Sequence, residues 1–274
     1  MWFTEAYASK IGRVTTSGVF TEFPIPSPSG GPIGIAAGPD GNLWFTEATA
    51  NKIGRVTTSG VFTEFPIPTP SSGPIGIAAG PDGNLWFTEV TANKIGRVTT
   101  SGAFTEFAVP TVSSSPTWIA AGPDGNLWFT ESGRSKIGMV TTSGAFTEFR
   151  IPTRASGPFG ITAGPDGNLW FTETANYGKI GRVTTSGVFA EFPTPTLSSN
   201  PIGIVAGADG NLWFTEYTAN KIGRVTTSGV FTEFPIPTPS SGPYGIAAGP
   251  DGNLWFTERF ADKIGAIHPP QLGL

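Results

Sequence analysis

Leu43-Trp44-Phe45-Thr46-Glu47 decides the reading of this chain. Its Trp-Phe-Thr-Glu core starts at Trp2, Trp44, Trp86, Trp128, Trp170, Trp213 and Trp255. Successive copies lie 42 residues apart, with one step of 43 between Trp170 and Trp213. One supersecondary unit is therefore written seven times, and a fixed period of this length marks a repeat array rather than two unrelated domains.

Working outward from this stretch, each repeat reads as four short strands, A to D. Pro32 to Gly38 is an apolar run opened by proline (A), and Pro39-Asp40-Gly41-Asn42 turns the chain. Leu43 to Glu47 is strand B, and Ala48-Thr49-Ala50-Asn51 loops to Lys52–Thr57, strand C. Thr58-Ser59-Gly60 turns into Val61–Pro68, strand D. No segment carries a helical apolar period over ten or more residues. Short strands at even spacing with turn residues between them predict an all-β protein. Four-stranded units repeating every ~42 residues predict a β-propeller, whose blades stand side by side and cover both faces of each sheet. Strand B can then bury Leu, Trp and Phe in succession instead of alternating. A buried indole takes roughly 150–250 Å² out of water, or about 4–6 kcal/mol gross per blade. The seven repeat tryptophans are accordingly assigned a structural role.

The composition agrees. Gly 38 and Pro 26 make up about a quarter of the 274 residues, and they recur in phase with aromatics, as turn residues do. Net charge is −4 with no basic run, which argues against a nucleic-acid partner. No stretch approaches the ~20 apolar residues that span a bilayer, and no signal peptide is visible. With Cys 0, disulfides, thiol nucleophiles and Cys-bound zinc are excluded, and the compartment stays open.

A single domain over 1–274 is expected: an incomplete blade at 1–31, repeats starting near 32, 74, 116, 158, 201 and 243, and a tail at 268–274. Strand A is missing from the first unit, and a full strand D from the last. Seven blades are favoured, the first lacking its innermost strand. The alternatives are six blades, with the N-terminal D strand completing the last, or exchange of the incomplete end units between two chains. A monomer is the default expectation.

The recurring charges suggest two roles. Glu47 and Lys52, which flank the B–C loop and recur in all seven copies, are expected to pair across the hairpin, the alternative being a functional ring of carboxylates. Glu64, on strand D, is expected on a solvated face guarding the edge. The Asp of each Pro-Asp-Gly turn is read as a turn residue.

The copies differ mainly in their B–C and D–A loops, which a meander places at one end of the sheets. Loops on a rigid scaffold are where binding residues sit. The departures there are Tyr7, Trp118 (in place of the strand-A glycine), Arg134, Arg150, Arg154, Phe159, Tyr177 (within a one-residue insertion), Tyr217, Tyr244, Arg259 and Phe260. Aromatic and arginine side chains make good anchors. Of these, Trp118, Phe159, Tyr244, Tyr177, Tyr217, Arg134 and Arg259 are the candidate binding residues for a small molecule, glycan or protein. The competing reading is loop filling after duplication.

The pattern GPxGI-x2-GPDG-x-LWFTE-x4-KIGR-[VI]-T-x2-G-x3-EF-x-[IL]-P, over essentially the whole chain, resembles the virginiamycin B lyase (streptogramin lyase) family of bacteria. The resemblance implies a seven-bladed propeller and a magnesium-dependent elimination that linearises streptogramin B antibiotics at their ester bond. It also implies histidines at the x of Pro-x-Gly-Ile in late blades, one of them the general base. Here those positions hold Ile33, Ile75, Thr117, Phe159, Ile202 and Tyr244. The glutamate implied just before that proline is Gly31, Gly73, Ser115, Gly157, Asn200 or Gly242. The one implied after strand B is Ala6, Ala48, Val90, Ser132, Thr174, Tyr217 or Arg259. One match remains: the family carries a Tyr at the x position in its first blade, as Tyr244 does here.

General-base elimination needs a group that titrates near the working pH. The sole histidine, His268, lies beyond strand C of the last unit beside two prolines. The chain therefore reads as a non-catalytic propeller, a scaffold or binding module, with no catalytic residue, metal ligand or cofactor assigned. The alternatives are a lyase-like enzyme using Mg²⁺ and a glycan- or protein-binding propeller.

Overall fold

The computed structural model describes residues 1–175 and 177–269. They form 26 strands in seven antiparallel sheets, and no helix occurs among the described residues. The first sheet has three strands, β1 (Trp2–Glu5), β2 (Lys10–Val14) and β3 (Phe20–Pro24), which are B, C and D of the repeat. The second holds β4 (Pro32–Ala37), β5 (Leu43–Glu47), β6 (Lys52–Val56) and β7 (Phe62–Pro66). The third holds β8 (Pro74–Ala79), β9 (Leu85–Glu89), β10 (Lys94–Val98) and β11 (Phe104–Ala108). The fourth holds β12 (Pro116–Ala121), β13 (Leu127–Glu131), β14 (Lys136–Val140) and β15 (Phe146–Arg150). The fifth holds β16 (Pro158–Ala163), β17 (Leu169–Glu173), β18 (Lys179–Val183) and β19 (Phe189–Pro193). The sixth holds β20 (Pro201–Ala206), β21 (Leu212–Glu216), β22 (Lys221–Val225) and β23 (Phe231–Pro235). The last has three strands, β24 (Pro243–Ala248), β25 (Leu254–Glu258) and β26 (Lys263–Ile267).

This is the all-β, seven-bladed propeller class, with the first blade lacking strand A. The six-blade alternative fails because β3 pairs with β2 and makes a sheet of its own with β1 and β2. Of the tail, residues 270–274 lie outside the described residues. The chain divides into two units. One comprises Met1–Ala121, Gly125–Arg134 and Gly138–Glu148; the other comprises Gly122–Asp124, Ser135–Ile137 and the chain from Phe149 on.

In the first unit, the indole of Trp44 packs on Ile77, Leu85 and Phe87 of the following sheet and is fully buried. Trp86 does the same on Ile119, Leu127 and Phe129. On its own sheet, Trp44 stacks on Phe65 at 5.5 Å, and Arg55 lies over the indole at 5.6 Å. The Pro-Asp-Gly turn does more than turn. Asp40 Oδ1 accepts the indole N–H of Trp44 at 3.0 Å, so the one polar atom of the buried ring is satisfied. Strand C carries a glycine opposite Phe45 because the ring lies on it: a Cβ at Gly54 would collide with the Phe45 ring.

The second unit repeats this chemistry. Trp170 packs on Ile204, Leu212 and Phe214, and Trp213 packs on Leu254 and Phe256. Their N–H groups go to Asp166 and Asp209, each at 3.0 Å. Strand A meets strand B through a register shift after its first proline, as between Pro243 and Ile246 on β24. Such a bulge takes the intervening residues out of the ladder and re-aims them.

Removing one indole leaves a large cavity between two sheets. Trp86→Ala is expected to cost about 3–5 kcal/mol, seen as a lower urea midpoint by tryptophan fluorescence and circular dichroism. Asp82→Ala, which strands the same indole N–H, is expected to cost about 1–3 kcal/mol.

Candidate functional site

The loop end of the sheets is fastened by polar groups that the sequence places only in part. Where the B–C loop carries asparagine, its side chain latches the next D–A loop. Asn51 Nδ2 donates to the Thr69 carbonyl at 2.9 Å, and its Oδ1 accepts from Ser72 N at 2.7 Å. Asn51 has φ 57, a conformation asparagine tolerates. Asn93 and Asn220 repeat the latch.

The expected ion pair is corrected. Glu47 and Lys52 are register partners, but the Lys52 ammonium bonds Glu64 at 2.6 Å. Glu64 is not a solvated edge guard: it also accepts from Ser27 N and Ser27 Oγ, each at 2.8 Å, so strand D holds the D–A connection of the preceding sheet. Glu106 on Thr69, Glu148 on Thr111 and Glu233 on Thr196 repeat the clamp. The two carboxyls share a face and differ in exposure: Glu47 is fully buried, while Glu64 keeps some access to solvent. Although burial pushes Glu64 up, hydrogen bonds from Lys52 and Ser27 hold it below the usual range. Glu47 is fully buried, and burial, reinforced by the Glu64 charge, pushes it up to about 7. Burial likewise pushes Glu89 and Glu216 to about 7 and Glu173 to about 8.

In the second unit the loop end gathers an aromatic cluster. Tyr244 sits in the bulge of β24, its carbonyl held by Thr215 Oγ1 of the sixth sheet at 2.8 Å. Its ring meets Phe159 of β16 edge-on at 6.0 Å and Tyr217, just after β21, at 6.2 Å. Arg259, just after β25, lies over it at 5.6 Å, and Phe260 meets Tyr217 at 5.7 Å. Burial raises the Tyr244 phenol above its ordinary value, against the pull of Arg259. Three sheets thus present apolar ring surface, phenol hydroxyls and one guanidinium together. Phe260 is 67% exposed. Glu216 precedes Tyr217, but successive strand side chains point to opposite faces, and its carboxyl is buried.

Tyr177 is 70% exposed, at φ 74. In the first unit, Trp118 is half-buried, with its backbone N–H on Thr130 Oγ1 at 3.1 Å. Arg134 is exposed, its Nε donating to the Val112 carbonyl at 3.1 Å, and Tyr7 is 87% exposed. Arg150 and Arg154 are exposed. His268 bonds Asn253 through Nδ1 at 2.6 Å, at the A–B turn of the last sheet. That turn lies at the opposite end of β24 from Tyr244, about 16 Å away for the five residues from Tyr244 to Gly249 at ~3.3 Å per residue. Magnesium takes oxygen ligands around one or two carboxylates. The positions where the resemblance implies carboxylates hold Gly, Ser, Asn, Ala, Val, Thr, Tyr and Arg, and among the described residues no group of three or more His, Asp or Glu could hold a metal.

Fold and loop-end cluster together define a repeat propeller with an aromatic, arginine-edged surface. The chain belongs to the virginiamycin B lyase family, whose model matches residues 1–117 and 72–271. Virginiamycin B lyase from Staphylococcus aureus is 46% identical, superposing with a TM-score of 0.92 over 97% of this chain and 89% of that one. A catalytically inactive His-to-Ala variant of that enzyme, with quinupristin, matches equally well. A streptogramin B lyase structure is 42% identical, with a TM-score of 0.93 over 97% of this chain and 88% of the other. No match is found among curated sequences.

The buried glutamates set a pH dependence. A carboxyl whose folded pKa is raised binds its proton more tightly in the native state, so stability falls as pH climbs from the unfolded value towards the folded one. The melting temperature is expected to drop between pH 5 and pH 8. Glu89→Gln, which is neutral throughout, is expected to flatten that slope in a thermal-melt series.

Proposed function

We propose that this chain is a non-catalytic binding propeller whose ligand surface is the cluster of Phe159, Tyr217, Tyr244, Arg259 and Phe260. The observation that carries this reading is the chemistry of the cluster: rings and a guanidinium surround Tyr244, whose phenol is raised, leaving no base poised for proton abstraction near neutral pH. The one histidine is tied to Asn253 at the other end of the sheet. Loss of a single histidine accompanies loss of catalysis in the Staphylococcus aureus relative. Aromatic faces with a flanking arginine suit a ligand with apolar rings and carbonyl acceptors, and quinupristin, present with that relative, is the probe of choice.

Quinupristin is expected to bind in calorimetric titration, and Tyr244→Ala to weaken that binding about tenfold, the ~1.4 kcal/mol of one aromatic contact. With Mg²⁺ present, mass spectrometry is expected to show the ring opening no faster than in buffer. Opening above the buffer rate, or binding indifferent to Tyr244→Ala, overturns the reading.

A further inference from the structure

Glu216 closes β21 directly before Tyr217, and it is fully buried. The charged groups that face it are Glu233 of β23 and Lys221 of β22. These two are already committed to each other: Lys221 Nζ donates to Glu233 at 2.6 Å, and Glu233 also accepts from Thr196 N and Thr196 Oγ1. Burial pushes Glu233 up, but the bonds from Lys221 and Thr196 hold it below the usual range, so it keeps its charge. β20 sets Pro201 opposite Glu216, and the D–A connection brings Ser199; neither titrates. No described residue donates a hydrogen bond to the Glu216 carboxyl.

The hydroxyl of Ser199 could supply such a bond, but its proton is directed elsewhere. Ser199 is fully buried and donates to Thr194 Oγ1 at 3.0 Å. Thr194 in turn directs its own proton to the carbonyls of Thr196 at 3.1 Å and Gly178 at 3.3 Å. Ser199 therefore has only a lone pair left, which suits a protonated carboxyl and repels an ionised one. The internal copies reach the same arrangement by another route. Ser72 Oγ donates to Asn51 Oδ1 at 2.9 Å, Ser114 to Asn93 at 2.9 Å and Ser241 to Asn220 at 2.8 Å, and an amide oxygen can only accept. In the fifth sheet, Gly178 stands in the place of that asparagine, and Thr194 stands in the place of Ile67. The two departures together give the serine an acceptor again.

The same connection carries part of the ligand surface. Tyr217 N donates to the Asn200 carbonyl at 3.2 Å and Thr218 N to the Ser199 carbonyl at 3.1 Å, so the chain leaving β21 hangs from Ser199 and its neighbour. We propose that Glu216 is a proton switch on this surface: as the acid it donates to Ser199 Oγ and keeps Tyr217 beside Tyr244, and when its proton leaves to solvent the carboxylate draws the Ser199 hydroxyl off Thr194 and loosens the chain that carries Tyr217. This regulation rests on the reading of the Tyr244 cluster as the ligand surface. The charges set its direction. Glu233 stays ionised, so ionising Glu216 puts a second buried carboxylate beside it, with Lys221 already bound to the first. Burial, with the Glu233 charge, pushes the Glu216 carboxyl up to about 7 in the closed arrangement. A loosened segment returns that carboxyl towards its ordinary value, so the closed arrangement is favoured at acid pH and loses that advantage as pH rises towards 7.

Amide hydrogen exchange of the whole protein, read by mass spectrometry against an unstructured peptide at each pH, tests the switch without ligand. Protection over residues 217–219 is expected to fall roughly tenfold or more between pH 5 and pH 8. Glu216→Gln, whose amide donates to Ser199 at every pH, is expected to abolish that fall. Thr194→Val is expected to shrink it, because the Ser199 hydroxyl can then turn to the carboxylate without the segment opening; Val109 already fills this place in the third sheet, so valine fits. In calorimetric titration, the affinity for quinupristin is expected to fall over the same range, and the fall to be smaller in Glu216→Gln. Protection that stays constant in the wild type, or that falls as steeply in either variant, overturns the switch. Quinupristin that binds at no pH overturns the reading of the surface instead, and the exchange result still decides whether Glu216 controls Tyr217.

Discussion

The fold depends on an indole that no single sheet can bury. Trp44 lies on its own sheet with Phe65 beneath it and Arg55 over its ring, yet what excludes water from it is Leu85 and Phe87 of the following sheet. Its N–H would be costly there if unmet, and Asp40, four residues upstream, meets it. Every other constraint follows from keeping two such sheets in contact. Glycines stand where rings and neighbouring backbones come close. Thr46 passes a hydrogen bond from its own strand A to the carbonyl of Ile75 on the following sheet. Arg55 reaches the Thr100 carbonyl in that sheet's C–D turn.

Much of this was legible in the sequence because periodicity and turn chemistry are local. The strand boundaries, the Pro-Asp-Gly and Thr-Ser-Gly turns and the missing strand A of the first sheet follow from residue types at fixed offsets. The partner of Lys52 did not. Glu47 and Glu64 lie on the same face within reach of the ammonium, and the choice depends on which carboxylate keeps access to water and to Ser27, a property of the sheet before. The Asp40–Trp44 bond carried a signal, an aspartate four residues ahead of every repeat tryptophan from the second copy on, but read as turn chemistry alone it was assigned half its role.

The loop-end cluster shows a different limit. Phe159, Tyr217, Tyr244, Arg259 and Phe260 stood out one by one, because each breaks a pattern kept by the other copies. That these five meet depends on which loops a bulge re-aims and on which sheets adjoin. Pattern-breaking finds candidates; only packing sorts them. The cluster also shows how one scaffold can carry different chemistries. Thr215 fixes the backbone of Tyr244 through its carbonyl, so the side chain there can change without disturbing the contact between sheets.

The clamp between each strand D and the connection before it joins positions about one repeat apart with the same atoms each time: Ser27 to Glu64, Thr69 to Glu106, Thr111 to Glu148. Such junctions are interchangeable. A gene that gains or loses one whole period by recombination between its near-identical copies would regenerate every junction with its donors and acceptors matched, whereas a cut at any other length would orphan a carboxylate in the interior. The chemistry of the seam thus sets the quantum in which this architecture can grow.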